Sequence, residues 1–327
     1  MKFLNDLLKK AKDNPKTIVF PEAGFSDRIV KAVKKIEKKG VAKVVLIGDE
    51  SALVLQDKAL KNFTIVNPKT CEYKDAFVQE LYELRKEKGM TKEQAEELML
   101  DPFYFSAMFV RLGYADGMVG GAEVSTAKML KPALQLLRKN DDFVNSFFVM
   151  CGKNKMTDDV FFLADCGLIE QPTAEQLAVI AERAVTQSNI LTDNEPKVAF
   201  LSYSTLGSAK SESTQKMRTA YELFAEKNPN TKAIGEIQLD AALIESVAKT
   251  KLKQMEFPGS ANILIYPDIN SANICYKAIS YFGGLYALGP ITTGLTKPAN
   301  DLSRGATVDD IVYVTALTVL QCQENKE

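Results

Sequence analysis

The chain has 327 residues, with 41 Lys plus Arg against 42 Asp plus Glu, a formal charge of −1, and 46% apolar residues. That balance supplies no global field for a nucleic acid or an anionic membrane, so any anion has to be gripped by local basic groups. Histidine is absent, which removes histidine triads, imidazole metal sites and histidine bases and leaves carboxylates, Lys, Tyr, Ser and Cys for proton chemistry.

Met1 to Lys10 is a short amphipathic pattern without the apolar core or cleavage site of a secretory signal. Thr17 to Phe20 predicts a strand, Ser26 a cap for a helix carrying Ile29, Val30, Val33 and Ile36, and Val44 to Ile47 and Phe63 to Val66 two further strands. Tyr73 to Leu112 reads as helical, broken at Gly89 and Pro102. Asp116 to Ala122 is a strand running into a tight turn, and Ser125 and Thr126 open a helix containing Met129, Leu130, Ala133, Leu134 and Leu137. Phe147 to Met150 and Val160 to Leu163 are strand candidates, and Thr173 to Val185 is an amphipathic helix. Val198 to Leu201 is a strand leading into the Ser/Gly-rich loop Ser202 to Ser213. Ile263 to Tyr266 and Asn273 to Phe282 add a strand and a helix, and Gly283-Gly284 and Gly289-Pro290 mark an expected return to the first domain.

This alternation predicts an α/β protein of two domains with mainly parallel sheets and a cleft between them. No Gly-x-Gly-x-x-Gly or Gly-Lys-Ser/Thr follows any strand, so nucleotide binding has no fingerprint. Cys71, Cys151, Cys166, Cys275 and Cys322 are odd in number and lack a Cys-x-x-Cys pair, which argues for free thiols rather than a disulfide framework or a metal site. No apolar run approaches the roughly 20 residues of a membrane span, and the expected location is cytoplasmic.

The most informative stretch is Lys297-Pro298-Ala299-Asn300-Asp301-Leu302-Ser303-Arg304-Gly305, followed by Ala306-Thr307-Val308-Asp309-Asp310-Ile311-Val312. It places an amide, a carboxylate, a hydroxyl and a guanidinium in a Pro/Gly-bounded loop ahead of a helical pattern, where backbone donors and the Arg304 fork favour a phosphate. The same residues also fit a simpler pattern, in which Thr307 and Asp310 form a capping box and Arg304 is a solvated charge.

Asn300-Asp301-Leu302-Ser303-Arg304-Gly305 with Asp310-Ile311-Val312 resembles the signature of the phosphate acetyltransferases. Other matches run in the same order across the chain: Glu83-Leu84-Arg85-Lys86 with Lys88-Gly89-Met90-Thr91, Ala115-Asp116-Gly117, Leu163-Ala164-Asp165-Cys166, Leu201-Ser202 with Ser204-Thr205 and Gly207-Ser208-Ala209, and Gly289-Pro290. The resemblance implies two three-layer α/β/α domains: a discontinuous first domain of residues 1–142 plus 291–327, and a second of residues 143–290 through which the protein forms a homodimer. It implies reversible acetyl transfer between coenzyme A and phosphate by direct thiolate attack in a ternary complex, with coenzyme A or acetyl-CoA and phosphate or acetyl phosphate as partners. Coenzyme A is then a substrate, and no cofactor or metal is expected.

The expected catalytic residues are Asp310 as base, Arg304 opposing charge and Ser303 donating to the developing oxyanion, with Arg85, Lys131, Ser125, Thr126 and Asn300 as substrate-binding residues. Four positions depart from the family: Gly120 where Ser is usual, Val124 where His is usual, Lys131 where Arg is usual, and Leu206 where Lys is usual. Transfer of butyryl or propionyl groups, a non-catalytic acetyl-CoA-sensing role, a route through an acetylated Cys166, and a two-domain dehydrogenase of the isocitrate type are the alternatives.

Overall fold

Short apolar runs closed by Pro21 and Gly48 become strands, and the 3.6-residue periodicity between them becomes helix, because each pattern leaves one face to bury. The structure, a computed structural model, describes residues 1–139, 142–152, 160–252 and 257–324. In chain order the elements begin with α1 (Lys2–Asp13), β1 (Thr17–Phe20), α2 (Asp27–Lys39), β2 (Lys43–Ile47), α3 (Glu50–Gln56), β3 (Thr64–Val66), α4 (Lys74–Arg85), α5 (Lys92–Leu98), α6 (Pro102–Arg111), β4 (Gly117–Gly120) and α7 (Thr126–Leu136). They continue with β5 (Asn145–Cys151), β6 (Phe161–Ala164), α8 (Ala174–Leu191), β7 (Lys197–Leu201), α9 (Glu212–Lys227), β8 (Lys232–Ile237), α10 (Leu239–Leu243), α11 (Glu245–Lys251), β9 (Ile263–Ile265), α12 (Ile269–Tyr281), β10 (Tyr286–Thr293), β11 (Ala299–Asp301) and α13 (Val308–Glu324).

The described residues form two compact units, one of Leu4–Val144 with Gly294 onward and the other of Met1–Phe3 with Asn145–Thr293. The first holds a five-stranded sheet in the order β11-β4-β1-β2-β3, parallel throughout. Helices α2 and α13 pack on each other and on this sheet, as do α6 and α7, so the strands have a helical layer on either side. Ile18, Val19 and Phe20 are fully buried between the layers. The three strands β11, β4 and β1 are adjacent and parallel, so their carboxyl ends bring three loops together at one edge, where open α/β sheets bind ligands.

The second unit holds a six-stranded sheet in the order β10-β5-β6-β9-β7-β8. The β6, β9, β7 and β8 strands are parallel, whereas β5 runs antiparallel to both β6 and β10. Gly289-Pro290 falls inside β10 rather than after it, at the irregularity between Leu288 and Ile291. No helix among the described residues is long and apolar enough to cross a membrane.

Candidate active site at the carboxyl edge of the first sheet

Strand β11 pairs with β4, and the Leu302 N–H continues the contact by donating to the Gly120 carbonyl at 2.8 Å. The chain then leaves the sheet through Ser303 to Thr307 and enters α13. Asp310 Oδ2 accepts from the Thr307 N–H at 2.6 Å and the Thr307 hydroxyl at 2.8 Å, while Thr307 Oγ1 accepts from the Asp310 N–H at 3.2 Å. A capping box is therefore present. Its Oδ1 has no hydrogen bond among the described residues. Burial raises the Asp310 pKa above the ordinary carboxylate value, against the lowering effect of the Thr307 N–H.

Ser303 and Arg304 are exposed. Ser303 Oγ accepts from the Gly305 N–H at 3.2 Å, the local bond expected of a loop hydroxyl, and its own proton remains available to donate. Arg304 offers its carbonyl to Arg28, and its guanidinium makes no ion pair among the described residues. Asn300 takes a different place from the expected one. It is fully buried, and its amide donates to Thr318 Oγ1 at 2.8 Å and Gln321 Oε1 at 2.7 Å, so it braces β11 against α13 instead of facing the loop.

The loop after β4 is shaped by a carboxylate that no local motif singles out. Glu22, fully buried just beyond β1, accepts from the N–H groups of Gly121 at 2.8 Å, Ala122 at 2.9 Å and Glu123 at 2.9 Å. Burial raises its pKa although these three donors pull it down. Gly121 has φ of +102°, and a Cβ there would lie 2.1 Å from Asp301 Oδ1, so only glycine lets the two loops meet. Asp301 is 1% exposed, and its Oδ1 lacks a hydrogen-bond partner among the described residues. Burial pushes its pKa up to about 7, the Thr126 hydroxyl lowers it, and the nearby Glu22 carboxylate raises it.

Ser125 caps α7 by accepting from the Lys128 N–H at 3.3 Å, and Thr126 reaches Asp301, so both stand at the helix start beside the signature loop. Arg28 ties the three loops together. It donates to the carbonyls of Arg304 and Ala306 at 2.8 Å each and to that of Ala122, and pairs with Glu123 at 3.0 Å. Ser26, which caps α2, also donates to Glu123, at 2.8 Å. The only trace of this knot in the sequence is a polar cluster, Glu22 to Arg28, directly after a strand.

Arg85 ends α4 and is half-buried, with a buried Nε that has no hydrogen-bond partner among the described residues. Its charge is felt by Tyr104, whose phenol is raised by burial and by Asp101 and lowered by Arg85. Tyr104 donates to Gln135 at 3.0 Å, one turn along α7 from the exposed Lys131. Among the described residues no direct hydrogen bond or ion pair joins Arg85 or Lys131 to Ser303, Arg304 or Asp310.

At Gly120 a Cβ would lie 2.8 Å from the Pro21 ring, so the departure from the usual Ser goes with close packing of β4 on the end of β1. Val124 lies just before α7 and Lys131 midway along it, and Leu206 in the loop after β7 has φ of 47°. Cys166 is fully buried, donates to the Leu163 carbonyl at 3.2 Å, and has its pKa pushed well up by burial, the opposite of an activated nucleophile.

The family model described as "Phosphate acetyl/butaryl transferase" matches residues 2–319. The phosphate acetyltransferase of Acetivibrio thermocellus is 46% identical over 329 residues, covering 99% of either chain, and that of Thermoanaerobacterium thermosaccharolyticum is 41% identical, covering 99% of this chain and 100% of its own. A phosphotransacetylase crystal structure from Streptococcus pyogenes superposes with a TM-score of 0.92 at 35% identity, covering 99% of this chain and 98% of the other. With its signature loop, its knotted strand ends and relatives matched over nearly their whole length, the chain belongs to the phosphate acetyl/butaryl transferase family.

Proposed function

We propose that the protein catalyses reversible acetyl transfer between coenzyme A and inorganic phosphate: acetyl-CoA plus phosphate gives acetyl phosphate plus CoA. The observation that carries this reading is the start of α13, where an Arg304 guanidinium and a Ser303 hydroxyl stand in the loop leading to Asp310, and where among the described residues neither that guanidinium nor Asp310 Oδ1 makes a hydrogen bond. Acetyl rather than a longer acyl group is favoured by the acetyltransferase names of its near relatives.

In the direction of acetyl-CoA formation, Asp310 takes the thiol proton of CoA. The sulfur attacks the carbonyl carbon of acetyl phosphate, the oxyanion accepts a hydrogen bond from Ser303, and the carbon–oxygen bond to phosphate breaks as the phosphate leaves. An unperturbed Asp lies about 4.6 pKa units below a thiol near 8.5, an uphill transfer of roughly 6 kcal/mol. Burial of Asp310 narrows that gap from one side, and cations around the sulfur narrow it from the other. Arg304 and Arg85 oppose the charge that grows on the departing phosphate. Ser125 and Thr126 contribute donors at the start of α7, and Lys131 a point charge midway along it.

The inert setting of Cys166 favours direct transfer in a ternary complex over an acyl-enzyme. We further assign a cytoplasmic location, a homodimeric state, and coenzyme A as a substrate with no separate cofactor. The deciding assay follows thiol release from acetyl-CoA in protein pretreated with a chelator. Release should require phosphate and match acetyl phosphate formed one for one, whereas equal release without phosphate would identify a thioesterase.

A further inference from the structure

The first unit carries a second concave site at the end of its sheet opposite the signature loop. A cavity of about 870 Å³ is lined by Lys16, Glu80, Arg111, Asp116, Lys297 and Cys322 among others. Lys16 immediately precedes β1, Asp116 precedes β4, Lys297 lies two residues before β11, and Cys322 is in the last turn of α13. These are the amino ends of the same strands whose carboxyl ends hold Glu22, Gly121 and Asp301. Strands of three or four residues, rising about 3.3 Å per residue, separate the two ends by roughly 10–13 Å.

The charges in this cavity are unevenly satisfied. Arg111 pairs with Glu80 at 3.3 Å and donates to the Leu136 carbonyl at 2.7 Å. Asp116 uses one oxygen on the backbone, its Oδ2 accepting from the Thr17 N–H at 2.8 Å, and makes no ion pair among the described residues. Cys322 donates to the Asp116 carbonyl at 3.3 Å, and burial, then Asp116, push its pKa up to about 12 against the opposing pull of Lys16 and Lys297. It therefore stays a thiol and supplies no anion. Lys16 and Lys297 are half-buried, and neither ammonium forms an ion pair or hydrogen bond among the described residues. Two half-buried ammonium groups lining one cavity, neither ion-paired to a carboxylate among the described residues, attract an incoming anion. The volume falls in the range of small-molecule sites.

We propose that this cavity binds a small polyanion, a metabolite bearing at least two phosphate or carboxylate groups, through Lys16 and Lys297. The site is separate from the catalytic loop and independent of the acetyl-transfer reading. Binding is measured by calorimetry with inorganic pyrophosphate and with citrate as probes, in full-length Arg304→Ala protein so that the signature loop contributes least. Either probe should bind saturably, weaken as salt rises, and lose affinity by roughly tenfold or more in the Lys16→Gln, Lys297→Gln protein. Pyrophosphate alone binding would specify phosphate groups, and citrate alone carboxylates. In the unsubstituted protein, the probe that binds should protect both lysines from reductive methylation, which tests the site without any variant. No saturable binding of either probe up to about 10 mM, or unchanged labelling of both lysines, overturns the proposal.

Discussion

The two oxygens of Asp310 divide its work: Oδ2 holds the Thr307 N–H and hydroxyl, and Oδ1 has no hydrogen bond among the described residues. Cap and base are thus compatible roles, and they separate by substitution. Asp310→Asn keeps an acceptor for Thr307 and should cost little stability, while Asp310→Ala loses the cap and about 1 kcal/mol. Both should depress turnover, most severely near pH 6 where CoA thiolate is scarcest. Arg304→Ala, exposed and structurally uncommitted through its side chain, should unfold at the parental urea concentration yet lose two to three powers of ten in turnover, roughly the effect of removing an oxyanion donor. Near-parental rates in Asp310→Asn and Arg304→Ala, with folding intact, would leave only the capping role.

Asp301 makes a prediction about pH. Its folded pKa, about 7, lies above the value near 4 expected for an unfolded Asp, so between these values the native state keeps a proton that the unfolded state has lost. Stability from this group is fully present below about pH 4 and is lost as pH rises to about 7, by an amount on the order of a few kcal/mol. Glu22 and Asp310, also raised, act in the same direction. Asp301→Asn should flatten the pH dependence of urea midpoints over that range and be more stable than the parent at pH 8. Parallel curves for the two proteins would show that Asp301 ionises without cost.

Among the elements, the loop after β7 is tied to β8 and α9 through a single carboxylate. Glu236 is fully buried and accepts from Ser204 Oγ at 2.7 Å, the Gly207 N–H at 2.9 Å, and Arg218 Nε and Nη2 at 3.0 and 2.9 Å. Burial raises its pKa, but those donors outweigh it and hold the carboxyl below its ordinary value. Leu206 sits inside this frame with φ of 47° and its side chain 41% exposed. A left-handed leucine costs roughly 1–2 kcal/mol in backbone energy, so Leu206→Asn should raise stability by about 1 kcal/mol in urea unfolding. A drop instead would mean that the leucine side chain packs well enough to compensate for its backbone.

The elements also explain what the sequence could and could not convey. Strand β1 and helix α2 were legible because Ile18, Val19, Phe20, Ile29, Val33 and Ile36 are large and spaced to one face. The stretch from α9 to α11 carries no clear pattern: α9 buries Thr214, Met217, Ala220 and Phe224, half of them small or polar, and β8 runs through Gly235 and Glu236. Strand β11 is Ala299-Asn300-Asp301, residues with little strand preference, and is a strand because β4 pairs with it. That hidden strand turns Asn300 inward, which is why a loop reading placed it in the site. Ser303, Arg304 and Asp310 were found from a local motif, whereas Glu22 and Arg28 act on loops about a hundred or more residues away and have no local signature.

For the whole molecule, the outward face of α12 is the feature that one chain leaves unfinished. Only Ala272 of that helix is fully buried, while Cys275, Tyr276 and Ile279 pack partly against the core of the second unit. Ile274, Tyr281 and Phe282 are 68%, 84% and 93% exposed, three large apolar side chains along one helix and its end. Single exposed apolar residues are ordinary, but a group of this kind marks a surface that another surface covers. A second copy is the partner consistent with the proposed homodimer, and a twofold interface would set α12 against the same helix of its mate. Sedimentation velocity should then give twice the chain mass for the parent, and a concentration-dependent shift toward monomer for Tyr281→Lys with Phe282→Asp. Both substitutions lie where the side chain is in solvent within one chain, so the isolated fold should tolerate them, and circular dichroism should be unchanged. A parent that sediments as a monomer, or a variant that remains dimeric, would remove α12 from the interface.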